Sequence, residues 1–142
     1  MWSPDGTMLA SGSEDKTIKV WNRESVTVTH TLLGHTDVVR CVAWSPDGHL
    51  LASSAYDKTI RIWELITSNQ VHVIEDHLHK EVNSVSFSYN GQLLAAISDQ
   101  EIRIYRCDTW ETAIIIPESG SSGWVPNVAF HPNLPFLAAP VS

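Results

Sequence analysis

Residues 54–63 read SAYDKTIRIW, and the interpretation of this stretch decides the fold. Asp57 stands six residues ahead of Trp63, with Ile60 and Ile62 between them, while Ser53 lies just upstream and His35 further back. Ser, His and Asp together suggest a nucleophile, a base and a group that orients the base. The stretch is not unique, however. DKTIKVW at 15–21, DKTIRIW at 57–63 and DQEIRIY at 99–105 recur at a spacing of 42 residues. A second landmark keeps the same beat: WSPDG at 2–6 and 44–48, FSYNG at 87–91 and FHPNL at 130–134, spaced by 42, 43 and 43 residues. Two independent landmarks with one period define a repeat architecture, so each residue is read first by its place in the repeat.

Within one unit the pattern is of short strands. VVRCVAW (38–44), HLLASSA (49–55), TIRIWEL (59–65) and QVHVIE (70–75) are rich in Val, Ile and aromatic residues, and turn chemistry separates them. Pro46 presets a turn and Gly48 supplies a positive φ, which predicts a tight hairpin between the first two strands. Several strands are apolar on both faces, as in LLAS and IRIW, so each sheet must be covered on both sides by its neighbours.

The composition sets the outer limits. The chain has 142 residues, 43% of them hydrophobic and 18% charged, which describes a globular chain of one modest domain. A net charge of −7 with scattered Lys and Arg argues against a nucleic-acid surface. No apolar run has the length of a membrane-spanning helix, and the first residues, MWSPDGTMLASGSEDK, carry neither a basic nor an apolar leader region. A cytoplasmic location is the corresponding expectation. Cys41 and Cys107 each sit inside an apolar pattern, as buried free thiols do in a reducing compartment.

With Gly34-His35, Trp44-Ser45-Pro46-Asp47-Gly48, Ser53, Asp57 and Trp63 in one unit, the sequence resembles the WD-repeat (WD40) β-propeller family. The usual Asp after the last Trp is replaced by Asn22, Glu64 and Arg106. The resemblance implies an all-β fold of four-stranded antiparallel blades, strands A to D from hub to rim. It divides the single segment 1–142 into a partial blade at 1–32, full blades at 34–75 and 77–116, and a partial blade at 119–142. Closed rings of this family usually have seven blades, so these three and a quarter form an incomplete ring. Two such chains would duplicate strand B at each seam, and the segment is therefore expected to continue into further blades of a longer parent chain. Alone, it would expose blade edges and self-associate through them.

The resemblance also implies a structural tetrad rather than a catalytic triad. His35 would bond Asp57, and Ser53 would link His35 to the indole of Trp63, so that buried polar groups satisfy one another. The sequence has no Gly-x-Ser-x-Gly elbow to expose a nucleophile. The first unit keeps Ser11, Asp15 and Trp21, and the third keeps His77 and Asp99 with Tyr105 in place of Trp. In that unit the strand-B Ser is replaced by Ala95 or Ala96, depending on where a one-residue deletion falls. In the fourth, Gly120 or Ser121 stands at the His position.

Two other stretches have competing chemical readings. EDHLHKE at 75–81 places two His two residues apart, but His77 falls on the tetrad position and His79 in an exposed loop, so no metal site is assigned. SGSSGW at 119–124 lacks the Lys-Ser/Thr of a phosphate loop and reads as a flexible connection. No catalytic residue and no cofactor is expected.

Functional expectation moves instead to the top rim of the blades. By the repeat alignment, Val38, Arg40 and Tyr56 share one end of a blade with Glu81, Asn83, Ser98, Glu14 and Trp124. Arg and aromatic residues are enriched at binding hot spots, which singles out Arg40, Tyr56 and Trp124. The expected function is a non-enzymatic scaffold that presents these loops to a protein or peptide partner. One alternative is a regulatory or sensing region of a larger signalling enzyme. The other is a hydrolase using His35, Asp57 and Ser53.

Overall fold

A computed structural model describes residues 1–75, 80–99, 101–117 and 127–139. Among the described residues the regular structure is all antiparallel strand. The first sheet holds β1 (Met8–Gly12), β2 (Ile18–Asn22) and β3 (Thr27–Leu32). The second holds β4 (Val39–Trp44), β5 (Leu50–Ala55), β6 (Ile60–Glu64) and β7 (Asn69–Ile74). The third holds β8 (Ser84–Phe87), β9 (Leu93–Ile97), β10 (Glu101–Arg106) and β11 (Thr112–Pro117). A last pair, β12 (Ala129–Phe130) and β13 (Leu137–Ala138), begins a fourth. Each sheet is a meander in chain order, and β4 contacts both β1 and β8, while β8 contacts β12. The first strands of successive sheets thus line one inner edge, and the sheets fan outward from it as unclosed propeller blades.

The turn chemistry is the same in three blades. At 45–48 the Gly48 amide donates to the Ser45 carbonyl at 2.9 Å, and Gly48 takes φ 75°. The Ser45 hydroxyl donates to Asp47 at 2.5 Å and accepts the Leu50 amide at 2.9 Å. Ser3 with Asp5 and Ser88 with Asn90 repeat this arrangement, so the Ser and the Asp or Asn hold the hairpin from inside. Trp2 pairs with Leu9 in an isolated bridge where the first blade's strand A ends.

The core lies between sheets. Ala10, Ile18, Val20 and Leu32 of the first blade pack on Val39, Leu51 and Trp63 of the second. Ile60, Ile62 and Ile74 of the second face Val85, Leu94 and Tyr105 of the third. Gly12 shows how close this approach is, because a Cβ there would lie 2.6 Å from Cγ1 of Val39. The third blade's outer face is less covered. Ile116 pairs with Ile102 as Ile74 pairs with Ile60, yet Ile116 is 38% exposed and Ile74 only 5%. Among the described residues the fourth sheet holds only the short pair β12–β13.

Candidate functional site

In the second blade, His35 is delivered by the turn before β4, Ser53 by β5, Asp57 by the β5–β6 turn and Trp63 by β6. His35 Nδ1 lies 2.8 Å from Asp57 Oδ2, and His35 Nε2 lies 2.7 Å from Ser53 Oγ. The Trp63 indole N–H donates to the same Ser53 oxygen at 2.9 Å. Because ionised Asp57 only accepts, His35 donates from Nδ1 and its Nε2 accepts from the Ser53 hydroxyl. The proton order is that of a hydrolytic triad. Two features remove that chemistry: Ser53 is fully buried, and its oxygen already accepts the Trp63 N–H. No acyl group can reach it, and the hydrogen bonds tie two strands and two turns together.

Electrostatics agree with a buried neutral imidazole beside a carboxylate. Burial pushes His35 below its ordinary value, against the raising effect of the Asp57 hydrogen bond. Burial alone would raise Asp57. The Thr36 amide, the Thr59 hydroxyl and His35 together outweigh it and hold Asp57 below the usual carboxylate range. The Thr36 amide donates to Oδ2 at 2.9 Å, and the Thr59 hydroxyl donates to Oδ1 at 2.7 Å.

Thr59 is a fifth member that the sequence reading missed. Its signal is the repeated Asp-Lys-Thr, since Thr17 donates to Asp15 in the same way at 2.6 Å. Gly34 beside His35 packs closely, since a Cβ there would lie 3.1 Å from the Trp63 ring and would displace the end of the Arg61 side chain.

The other blades carry parts of the set. In the first, Trp21 donates to Ser11 at 3.2 Å, and Asp15 is exposed, bonded to Thr17 and 3.9 Å from Lys19. In the third, register resolves the ambiguity: Ala96 pairs with Arg103 as Ser53 pairs with Arg61, so Ala96 occupies the Ser position. Tyr105 is fully buried, and its hydroxyl has no hydrogen-bond partner among the described residues. Burial pushes its pKa up to about 12. Asp99 accepts from the Asn83 amide at 2.7 Å. His77 lies outside the described residues, as does most of the 75–81 cluster. Among the described residues no group of three His, Cys, Asp or Glu is arranged to hold a metal ion.

The rim residues fare unequally. The Val39 amide donates to the Ser13 carbonyl at 3.1 Å, and the Val82 amide to the Ala55 carbonyl at 3.3 Å. These bonds set Glu14 beside Val38, and Tyr56 beside Glu81. The Arg40 guanidinium lies 5.1 Å from the Tyr56 ring centroid, an exposed cation over a half-buried ring. Asn83 and Ser98 do not join this surface. They are 7% and 3% exposed, because Asn83 turns toward Asp99 and Ser98 bonds toward the Glu101 carbonyl. Both therefore leave the exposed rim set. Trp124, with the 119–124 run, lies outside the described residues.

A family model described as WD domain, G-beta repeat (WD40) matches residues 1–22, 26–64 and 68–106. The chain belongs to this family. Its second and third matches begin near β3 and β7, so each sequence repeat joins the last strand of one sheet to three strands of the next.

Among similar proteins is "Probable serine/threonine-protein kinase PkwA" of Thermomonospora curvata, 56% identical over 39 residues, which are 28% of this chain and 5% of that protein. "Lissencephaly-1 homolog" of Caenorhabditis briggsae is 49% identical over 43 residues, 30% of this chain and 11% of that protein. The solved structure described as "Structure of U3-55K" superposes with TM-score 0.83 at 21% identity, covering 92% of this chain and 41% of that one. "Crystal structure of RRP9 WD40 repeats" gives TM-score 0.82 at 21% identity, with 92% and 40% covered. The fold is that of a WD40 propeller, and the chain spans less than half the length of these structures. No helix among the described residues is long and apolar enough to cross a membrane.

Proposed function

We propose that the chain is a non-catalytic interaction scaffold, whose rim turns present Arg40 and Tyr56 to a protein or peptide partner. WD40 repeats generally mediate protein–protein contact, and their propeller fold is typically non-catalytic. The observation that carries this reading is the Arg40–Tyr56 stack. The pair combines a charged donor with an aromatic face, the two residue types that dominate interface energetics. Val38, Glu14 and Glu81 frame it, and the buried brace beneath keeps the turn that carries Tyr56 in place.

Arg40→Ala combined with Tyr56→Ala in the full-length parent chain should abolish capture of its partner while the melting curve stays unchanged. Undiminished capture by the folded double variant contradicts the reading. A second reading, in which these blades are the regulatory part of a larger signalling enzyme, is supported by the likeness to a protein named as a probable kinase. Finding no catalytic domain in the parent reading frame would remove it. Remaining blades of the parent chain are the natural cover for the exposed Ile116 face, and the blade boundaries at 34–75 and 77–116 are proposed as its structural units.

A further inference from the structure

Two neighbouring clefts of the same construction differ in what fills them. Both lie at the end of the blades opposite Arg40, where the outer strand of one sheet meets the turns of the next. Between the second and third sheets, Trp110 of the β10–β11 turn stacks on His72 of β7, with ring centroids 5.8 Å apart and planes 18° from parallel. The ring also packs against the core cluster between those sheets.

One repeat earlier, His30 holds the place of His72, pairing with Val20 as His72 pairs with Ile62. Ser68 holds the place of Trp110, and both take the positive-φ position of their turn, at 57° and 59°. Ser68 is exposed and brings no ring, and a cleft of about 620 Å³ remains, with His30, Met8, Trp44 and Leu65 in its wall. Ile66 stands at its mouth, 80% exposed, where the third blade has Asp108 in the same turn position. Asp5 and Asp47 line its rim. Hydrogen bonds from Ser3 and Ser45, with those from their neighbouring amides, hold both carboxylates below their usual range, so both are ionised at neutral pH.

We propose that the cleft between the first and second blades receives an aromatic side chain of a peptide with Lys or Arg beside it, stacked on His30 as Trp110 is stacked on His72. The protein's own third blade supplies the template for the ring, and the acidic rim supplies the complement to the flanking cations. This site is separate from the Arg40–Tyr56 surface and does not depend on it.

The test uses two probes, acetyl-Lys-Trp-Lys-amide and acetyl-Lys-Ala-Lys-amide, titrated into the isotope-labelled full-length chain and followed by NMR at His30 and Ile66. The Trp peptide should give saturable shifts at these residues, and the Ala peptide should bind about tenfold more weakly. Ser68→Trp places a ring in a backbone geometry that Trp110 already occupies, and should abolish binding of the Trp peptide. His30→Ala should weaken it about tenfold, and serves alone if Ser68→Trp does not fold. Equal binding of the two peptides overturns the proposal. So does undiminished binding of the Trp peptide to the folded variants, or shifts that avoid the cleft.

Discussion

The second and third blades share one strand frame but not one interior. In the second, His35, Ser53, Asp57 and Trp63 satisfy one another, with Thr59 and the Thr36 amide closing the set. In the third, Ala96 replaces the Ser, the Tyr105 hydroxyl has no partner among the described residues, and Asp99 accepts a bond from the Asn83 side chain. Yet both sheets form with the same order and nearly the same register. The same frame therefore forms without the Ser and Trp corners. We propose that the polar set of the second blade adds stability and fixes the turn that carries Tyr56.

The comparison can be broken first at its aromatic corner. Trp63→Ala removes a buried ring shared between the first two blades and should cost about 3–5 kcal/mol in chemical denaturation. A loss below about 1 kcal/mol would mean that the ring is not part of the core.

Acid provides the second contrast. The fold depresses the pKa of His35, so its neutral form is favoured in the native state. The associated stability is fully present above the ordinary His value of about 6.5 and is lost as pH falls through and below it. Melting temperature should fall between about pH 7.5 and 5.5, and His35→Gln should flatten that slope. An unchanged slope in the variant would assign the acid sensitivity to other groups.

The smallest effect is expected in the third blade. A partnered buried Tyr loses about 1 kcal/mol on conversion to Phe, whereas Tyr105→Phe should be neutral or slightly stabilising. A clear loss of stability would reveal a partner for the hydroxyl.

These contrasts also show what the sequence could and could not disclose. The period was readable because DKTIRIW and WSPDG carry the polar set and the tight turn, and variants of both recur in phase. Pro46 and Gly48 announced their hairpin through backbone chemistry, and the Asp47 side chain closes it from inside. Thr59 was less visible, because its role depends on which carboxylate oxygen is left to accept. The choice between Ala95 and Ala96 required strand register, which a one-residue deletion hides. Asn83 and Ser98 were placed on the rim by repeat position, which does not disclose that both are buried, Asn83 with its side chain bonded to Asp99. The His72–Trp110 stack joins residues of different repeats, and no spacing within one repeat signals it.

The central claim is that His35, Ser53 and Asp57 brace a blade rather than catalyse a reaction. Thermal unfolding of Asp57→Asn tests it most directly. In either orientation the amide would turn an N–H group toward a backbone N–H that donates in the native protein, that of Thr36 at Oδ2 or that of Thr59 at Oδ1. The brace predicts a loss of about 2–3 kcal/mol and a melting temperature lower by about 5–10 °C. An unchanged melting temperature, accompanied by loss of a hydrolytic activity, would contradict it.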